Sequence, residues 1–395
     1  MPAYLDHAAT TPLRASALAA MTEQLQVTGN ASSLHTAGRR ARRVVEESRE
    51  QLARALGARP SEVVFTSGGT ESDNLAVAGT FAARREADPA RVRIVASGIE
   101  HHAVLDCVEH LVTHEGAKVT WVEPDELGVV SAQAVRAAIS DDPGSVALVT
   151  VMWANNEVGT VQPVAEIAAV AHEHGIPVHT DAVQAVGHVP VDFAASGVDL
   201  MTVTAHKLGG PVGVGALVAR RDAVLTPLTF GGGQERQVRS GTLDTPAIRA
   251  FAVAAQEAVA ELDAEARRLV ALRDRLIEGA LDLGYGITVG GAWQPGDATG
   301  RLPGNVHLLV PGCEGDSLLY LLDAAGVECS TGSACQAGVP RPSHVLLAMG
   351  LSAERARGAL RLTLGHTSTD ADVDAVLAAI PTAVERARRA SGWTG

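Results

Sequence analysis

The sequence predicts an α/β protein, and three observations lead to this fold class. Short apolar runs alternate with amphipathic helical stretches over residues 62–219, which implies a mainly parallel sheet covered by helices on both faces. Hydrophobic residues make up 46% of the 395 positions, enough for a large core. Residues 247–283 form a long amphipathic helical stretch without a strand signal. We therefore expect a large domain over residues 14–255 and a smaller α+β domain formed by residues 1–13 and 256–395.

The individual elements follow from apolar periodicity and from the turn-forming residues between them. Strands are predicted at residues 62–66, 92–97, 118–122, 146–151, 176–180, 200–204, 213–219, 305–310, 326–329 and 360–364. Helices are predicted at residues 13–25, 39–56, 74–83, 103–115, 132–140, 163–174 and 247–283. In sheets of this kind, ligands usually bind at the carboxyl ends of the strands. The loops that follow the strands are therefore expected to carry the chemistry.

The composition limits the compartment and the partners. A formal net charge of −13 argues against a general nucleic-acid or anionic-membrane surface. The N-terminus lacks a basic start with an apolar signal core, and no apolar run approaches membrane-spanning length. We expect a cytoplasmic protein that binds no membrane and no nucleic acid directly, and whose partners are small molecules or proteins. The 4 cysteines show no CxxC spacing and are too few for a disulfide scaffold, so reduced thiols are expected.

Two predicted strand ends place an acid and an amine at one edge of the sheet. One strand runs into Asp181, and another leads to Lys207. This pair suits pyridoxal 5′-phosphate (PLP), because a lysine amine attaches the aldehyde of the cofactor and an aspartate keeps its ring nitrogen protonated. The alternative is a surface lysine and a helix-capping aspartate, which either residue taken alone would favour.

A loop of small residues, Ser67-Gly68-Gly69-Thr70, lies between a predicted strand and a predicted helix. Backbone N–H groups and the positive end of the helix favour a phosphate at such a place. Gly69 permits close approach of a ligand, and Thr70 offers a hydroxyl. The alternative is an ordinary helix cap, since Ser/Gly turns before helices are common.

Two further loops add polar groups to the predicted pocket. Glu100-His101-His102 follows a strand, so that one imidazole could stack on an aromatic cofactor. A metal site is the weaker reading, because no carboxylate-histidine ligand set accompanies the two histidines. In the second loop, Asn156 and Glu157 could bond a ring hydroxyl or a substrate, and the alternative is a plain Asn-rich turn.

The loop over residues 329–342 contains the cysteine that we predict to be a nucleophile. Small residues, glycines and prolines frame Cys335, which indicates an exposed and mobile loop. Exposed thiols are reactive or incidental, whereas structural cysteines are usually buried. Cys107, Cys313 and Cys329 lie in less exposed patterns and are expected to have no catalytic role.

These motifs resemble those of a known family. The chain resembles, along nearly its whole length, the cysteine desulfurases of the class V aminotransferase group, which are fold type I PLP enzymes. The matching motifs occur in the order of the family: Tyr4-Leu5-Asp6, Ala9-Thr10-Thr11-Pro12, residues 66–74, Glu100-His101, Asn155-Asn156-Glu157, Asp181 with Gln184, His206-Lys207, residues 231–235, residues 239–242 and Ser333-Ala334-Cys335. The long loop that carries Cys335 resembles that of the group I desulfurases.

The resemblance implies a role for each matching residue. Residues 14–255 would form the PLP-binding domain, in which Lys207 holds the cofactor, Asp181 pairs with the ring nitrogen, and His101 stacks on the ring and shuttles protons. The remaining cofactor contacts that it implies are Gln184 and Asn156 at the ring oxygen, Gly69, Thr70, Thr204 and His206 at the phosphate, and Thr242 from a second subunit. The substrate contacts that it implies are Arg361 at the carboxylate, assisted by Asn30, with Asn156 nearby; a salt-bridged strand arginine is the alternative for Arg361.

The implied activity is the conversion of L-cysteine to L-alanine, with the sulfur left as a persulfide on Cys335. A homodimer with shared sites and a sulfur-acceptor protein are implied as partners. The acceptor is an iron–sulfur scaffold, whose cluster Cys335 could contact on transfer, or a tRNA-thiolation enzyme, because the sequence lacks the longer tail through which many group I members bind a scaffold. The alternatives are a selenocysteine lyase or another class V aminotransferase, and a non-catalytic sulfur-carrier subunit.

Overall fold

The computed structural model describes residues 2–332 and 342–393 of the chain. The β-strands are β1 (Ala3–Tyr4), β2 (Val63–Thr66), β3 (Arg93–Ser97), β4 (Lys118–Val122), β5 (Val146–Thr150), β6 (Val178–Asp181), β7 (Leu200–Thr204), β8 (Gly215–Ala219), β9 (Thr288–Val289), β10 (Asn305–Leu309), β11 (Val327–Glu328) and β12 (Ala359–Thr363). The α-helices are α1 (Ala15–Leu25), α2 (Thr36–Ala55), α3 (Gly69–Ala87), α4 (His102–Glu115), α5 (Ala132–Ser140), α6 (Val164–His172), α7 (Phe193–Ser196), α8 (Thr245–Ala260), α9 (Leu262–Asp282), α10 (Gly315–Asp323), α11 (His344–Ala348), α12 (Ala353–Arg357) and α13 (Asp370–Ser391).

The central element is a 7-stranded sheet in the order β2-β8-β7-β6-β5-β3-β4. Neighbouring strands are parallel except at β8, which is antiparallel to both β7 and β2. Every residue of β5 and of β7 is buried, as expected for strands that helices cover on both faces. The predicted α/β class with a mainly parallel sheet is therefore confirmed.

Helices cover the two faces of this sheet with separate apolar clusters. Helices α3 and α4 pack on one face, where Phe81 joins Ile94 of β3 in one cluster. Helices α2, α5, α6 and α8 pack on the other face, where Ile167 joins Val95 of the same strand. The alternation of Ile94 and Val95 between the clusters follows from the two-residue period of a strand.

A second core forms around two small sheets. The 3-stranded sheet β12-β10-β9 is antiparallel, and β1 pairs in parallel with β11. Leu5 from the N-terminal segment is fully buried in this core, together with Leu276 of α9, Leu308 of β10 and Ile380 of α13. The N-terminal segment thus packs with the C-terminal third of the chain. The domain bounds at residues 13/14 and 255/256 stay a prediction.

Most predicted bounds differ from the observed ones by a few residues, and two differences are larger or change the element count. Helix α3 begins at Gly69 and not at residue 74, because Glu71 and Ser72 close its first turn: Glu71 Oε2 accepts the Ser67 N–H at 2.6 Å, and Ser72 Oγ donates to Gly68 O at 3.0 Å. The predicted helix over residues 247–283 is two helices, separated by a turn at Glu261 where no Gly or Pro signals a break. None of the described helices combines the length and the apolar character needed to cross a membrane.

Candidate active site

The ends of four parallel strands and the start of α3 surround one cavity of about 400 Å³. Strand β6 ends at Asp181 and β7 ends at Thr204, three residues before Lys207, while the loops after β3 and β5 supply the opposite wall. The cavity is lined by Ala8, Ala9, Gly69, Thr70, Asp73, His101, His102, Met152, Asn156, Glu157, Asp181, Val183, Gln184, Thr204, His206, Lys207, Ser330, Gly332, His344 and Arg361. All predicted cofactor contacts except Thr242 therefore meet in one place.

The amine of Lys207 is held by the N-terminal segment. Nζ donates to the carbonyl oxygens of Ala8 and Ala9, the second at a distance of 2.7 Å. Burial first, and the charge of Arg361 second, lower the pKa of Lys207 to about 8, although Asp6 and Asp181 act in the opposite direction. A large fraction of the amine is therefore neutral near pH 8, in the form that attacks an aldehyde.

Asp181 is a buried carboxyl at the floor of the cavity. Its Oδ1 accepts the N–H of Val183 at 2.8 Å. Burial raises the pKa of Asp181 to about 6, while the hydrogen bond from Val183 and the charge of Lys207 favour the ionised form. Gln184 donates through Nε2 to Ala8 O at 3.0 Å, the same carbonyl that Lys207 contacts. One backbone carbonyl thus orients two of the predicted cofactor contacts.

Two histidines of the cavity wall are neutral. His101 is the N-cap residue of α4, and its Nδ1 accepts the Ala103 N–H at 3.1 Å, so that the neutral ring carries its proton on Nε2. Burial is the main cause that lowers the pKa of His101 to about 4, and the charge of Lys207 is the second. The same two causes, in the same order, lower the pKa of His206 to about 4, and Nδ1 of His206 lies 3.2 Å from Thr10 Oγ1.

The start of α3 forms the polar end of the cavity. Gly68, the N-cap residue, has no side chain to cap the first amides of the helix. Gly69 lets the backbone approach closely, because a Cβ at this position would lie 3.2 Å from Cγ2 of Val183. Thr70 and Thr204 add hydroxyl groups beside these amides. This arrangement suits an anion, as the loop sequence predicts.

Arg361 is buried on β12 and is partly committed to protein partners. Its Nη2 donates to Asp6 Oδ1 at 2.8 Å, and its Nη1 donates to Asn156 O at 3.0 Å. Its Nε is buried and has no hydrogen-bond partner within residues 2–332 and 342–393. The salt bridge that was the alternative reading is therefore present, and one nitrogen of the guanidinium lacks an acceptor in this part of the chain.

Three of the predicted residues lie outside this cavity lining. Asn30 is exposed, and its Oδ1 accepts the Ser32 N–H at 2.9 Å within its own turn. Thr242 is exposed on the surface of the chain. Cys335 lies outside the described residues. The roles predicted for these three residues stay predictions.

The other cysteines are poor nucleophiles. Cys107, Cys313 and Cys329 are free and buried. Burial raises the pKa of Cys107 and of Cys329 to about 12 and also raises the pKa of Cys313. Thiols of this kind stay protonated near neutral pH, so none of these three matches the requirement for a reactive thiolate.

The sequence reasoning missed two polar residues of the cavity wall, Asp73 and His344, and gave a third, Glu157, only a general role. Asp73 of α3 is 1% exposed. It lies on the same buried face of the helix as Ala76, Val77 and Thr80, and this helical spacing could have predicted its burial. Glu157 was assigned only a general polar role, but its Oε2 accepts from Ser343 Oγ at 2.5 Å. His344 was not singled out, since nothing near it in sequence connects it to the strand ends.

Within residues 2–332 and 342–393, no group of three His, Cys, Asp or Glu side chains is arranged to hold a metal ion. His102 and His344 lie with ring centroids 5.1 Å apart, but His102 is paired with Asp106 and His344 with the carbonyl of Glu100. The histidines of the cavity wall are therefore engaged in hydrogen bonds of the protein.

Comparison with known proteins agrees with this site. A family model described as aminotransferase class-V matches residues 3–376. An IscS-like cysteine desulfurase from Mycobacterium tuberculosis is 59% identical over 389 residues, which cover 98% of each chain. This chain belongs to the cysteine desulfurases of the class-V aminotransferase family. The predicted family is therefore confirmed.

Solved structures of cysteine desulfurase relatives share the fold. A NifS-like protein superposes with a TM-score of 0.86 at 34% identity, covering 98% of this chain and 99% of its own. A structure described as SspA in complex with cysteine superposes with a TM-score of 0.78 at 34% identity, covering 93% of this chain and 99% of its own. The predicted fold type I architecture is confirmed by these likenesses.

The cysteine desulfurases are PLP-dependent, and the cavity fits this cofactor. Its volume of about 400 Å³ is in the range of small-molecule sites. The lysine amine, which is partly neutral near pH 8, suits the aldehyde of the cofactor, and the buried carboxyl suits its pyridine nitrogen. The uncapped amides of the helix suit its phosphate. Lys207, Asp181 and the start of α3 would therefore hold PLP in this desulfurase.

Proposed function

We propose that this protein is a PLP-dependent cysteine desulfurase that converts L-cysteine to L-alanine and transfers the sulfur to Cys335. The observation that carries the proposal is the meeting of Lys207, Asp181 and Arg361 in one cavity. These residues supply an attachment point, a counter-charge for a protonated ring, and a donor for an amino-acid carboxylate.

When bound, PLP supplies an electron sink for the electron pair released at the α-carbon of the substrate. Arg361 lines the cavity and binds the substrate carboxylate, and its buried Nε has no hydrogen-bond partner among the described residues. The Lys207 amine, with its pKa lowered to about 8, takes the α-proton once the substrate has displaced it. Asp181 stays ionised beside Lys207 and favours the protonated form of the cofactor ring.

His101 is placed to move protons at the opposite wall. Because Nδ1 is occupied by the Ala103 amide, proton transfer must use Nε2. In the transfer step, the Cys335 thiolate bonds to the substrate sulfur, the carbon–sulfur bond breaks, and its electron pair returns to carbon, which is then protonated to give alanine. The sulfur remains on Cys335 as a persulfide for an acceptor protein.

The decisive experiment compares the wild type with two variants and a matched control. The chain contains only two lysines, Lys118 and Lys207, and Lys118 is exposed on β4. Purified protein is incubated with L-cysteine and a reductant, and sulfide and alanine are measured. We expect both products from the wild type and from Lys118→Ala, and neither from Lys207→Ala or Cys335→Ser.

Other results would favour the alternatives. Production of a keto acid would indicate an aminotransferase, and a strong preference for selenocysteine would indicate a lyase for that substrate. Protein that takes up no PLP would contradict the proposal and favour a sulfur-carrier subunit.

We further propose that the protein acts in the cytoplasm as a homodimer, in which Thr242 serves the site of the second subunit. Thr242 follows a segment with the exposed apolar side chains Leu228 (44%) and Phe230 (81%), and such a surface favours a protein partner. Mixed dimers of Lys207→Ala and Thr242→Ala test this directly. If Thr242 acts across the interface, one site of each mixed dimer is intact and regains tight PLP binding; if it acts within its own chain, none is.

The acceptor of the sulfur is proposed to be a protein, either an iron–sulfur scaffold or a tRNA-thiolation enzyme. Transfer of radioactive sulfur from L-cysteine to each purified acceptor, with Cys335→Ser as the control, distinguishes the two.

A further inference from the structure

A buried carboxyl that the proposed mechanism does not use lines the same cavity. Asp73 belongs to the second turn of α3 and is 1% exposed. Its Oδ1 has no hydrogen-bond partner in the described part of the chain. An ionised carboxylate is costly in such a place, because the buried Oδ1 has neither water nor a donor to compensate its charge. The surroundings of Asp73 therefore determine whether its carboxyl is protonated.

The nearest ring to Asp73 is a buried histidine. His179 lies two residues before Asp181 on β6, so the two side chains emerge from the same face of the sheet. Its Nδ1 lies 2.9 Å from Thr150 Oγ1, and its Nε2 lies 3.1 Å from Thr202 Oγ1 and 3.5 Å from Asp73 Oδ1. Burial lowers the pKa of His179 to about 3, so the ring is neutral and gives Asp73 no positive charge.

The other titratable groups around Asp73 are acids and a thiol. Burial is the main cause that raises the pKa of Asp73, and the charges of Asp181 and Glu100 raise it further, against a hydrogen bond from Thr202. Cys107 of α4 lies close enough for Asp73 to raise the pKa of its thiol. Among the described residues, no cation is one of the groups that shift the pKa of Asp73.

Asp181 has more groups around it that stabilise a negative charge than Asp73 has. It accepts a backbone N–H at 2.8 Å and lies beside the Lys207 amine. Two neighbouring buried carboxyls cannot both ionise without strong repulsion. The carboxyl with more hydrogen-bond donors and positive charge around it keeps the negative charge. The geometry therefore separates the two acids into an ionised and a neutral member.

We propose that Asp73 is a positioning residue that stays protonated, so that Asp181 alone carries the negative charge of this pair. The role rests on the proposed function, because a single charge on Asp181 matters as the partner of one proton on the ring nitrogen of PLP. A second carboxylate would compete for that proton. The protonated carboxyl of Asp73 also has one O–H, which can be donated to the Thr202 hydroxyl on the strand beside the one that carries Asp181.

Infrared spectroscopy of the PLP-loaded protein with ¹³C-labelled aspartate tests this role. At slightly alkaline pH we expect one carboxylic-acid carbonyl band that shifts with the label. The label separates this band from Glu100, whose pKa is raised to about 8 by burial. The band should disappear in Asp73→Asn. It should persist in Thr80→Val, a control that removes a buried hydroxyl without a partner from the same helix.

A second variant keeps the test independent of folding defects in Asp73→Asn. In Asp181→Asn the repulsive charge is gone, so the band should titrate away at a lower pH than in the wild type. Absence of a labelled acid band in the wild type, or its persistence in Asp73→Asn, overturns the inference. Uptake of PLP is followed separately by visible absorbance: failed uptake contradicts the proposed function, whereas normal uptake without the band contradicts only the role of Asp73.

Discussion

Arg361 and Asp6 form an ion pair of 2.8 Å between β12 and the N-terminal segment. The pair is recessed, with 6% of the Arg361 side chain and 24% of the Asp6 side chain exposed. Together with the bond to Asn156 O, it fixes the plane of the guanidinium, while Nε has no partner in the described part of the chain. The arginine is thus pre-oriented by protein contacts on one edge.

This arrangement makes Arg361→Lys a sharp test of substrate binding. A lysine keeps the charge but cannot bind Asp6, Asn156 and a carboxylate in one plane. Loss of a charge-assisted hydrogen bond costs about 2 to 3 kcal/mol, so KM for L-cysteine should rise roughly 30- to 150-fold. Arg275→Lys, in an exposed ion pair with Asp370, is the control. An unchanged KM in Arg361→Lys would contradict the assigned role.

The lowered pKa of Lys207 predicts how the protein without cofactor captures PLP. Below the pKa of about 8 the amine is protonated and cannot attack an aldehyde, and above it the neutral amine attacks. The rate of PLP capture, trapped with borohydride and located by mass spectrometry, should rise with a midpoint near pH 8. Lys118→Ala should behave as the wild type, and a midpoint near the ordinary 10.5 would show that burial does not tune this amine.

Buried Glu100 predicts a loss of stability with rising pH. Burial raises its pKa from 4.5 to about 8, so the folded protein binds a proton that the unfolded chain releases between these values. Stability is therefore highest below pH 4.5 with respect to this group and falls as the pH rises to 8. Relative to Glu100→Gln, the wild type should lose on the order of 5 kcal/mol of unfolding free energy across this window.

Urea unfolding at acidic and slightly alkaline pH measures this difference. Glu126→Gln, at an exposed position, should leave the pH dependence of the wild type unchanged. Parallel curves for the wild type and Glu100→Gln would mean that Glu100 is ionised in the folded protein.

The raised pKa values of the buried cysteines predict that alkylation of the native protein is selective. With pKa values raised to about 12, Cys107 and Cys329 expose almost no thiolate near pH 8 and should react roughly 1000-fold more slowly than an ordinary cysteine. Iodoacetamide should therefore label Cys335 in the native protein, and peptide mass spectrometry should find all four cysteines labelled after denaturation. Cys335→Ser serves as the control, and rapid native labelling of Cys107 or Cys329 would count against the assignment.

The sequence pattern predicts the sheet well because buried parallel strands have a distinct composition. The bounds of β4, β7 and α5 agree with the predicted residues 118–122, 200–204 and 132–140. The antiparallel direction of β8 was not predicted, since strand direction depends on tertiary pairing and leaves no mark on a five-residue apolar run. The break at Glu261 has the same origin: Arg14, from far away in sequence, binds both Glu257 and Glu261 at 2.7 Å.

The site was predictable where strand ends and small-residue loops carry it, as for Asp181, Lys207 and Gly69. It was not predictable where the contact joins distant segments. The sequence near Lys207 does not show that the carbonyls of Ala8 and Ala9 bind its amine, nor does the sequence of β12 show that Asp6 pairs with Arg361. Asp73 was missed because an acid inside a helix is usually on the solvent side, and only its phase with Ala76 and Val77 argues otherwise.

The pairing of the N-terminal segment with β11 and β12 also affects the order in which the chain can fold during synthesis. Ala3 pairs with Val327, and Asp6 bridges to Thr363, so these residues find their strand partners only after the intervening part of the chain has been translated. Lys207 is translated well before β12, which carries Arg361. A nascent polypeptide that lacks β12 therefore contains Lys207 without Arg361, and the pocket for the vitamin-derived cofactor is complete only once both residues have been translated.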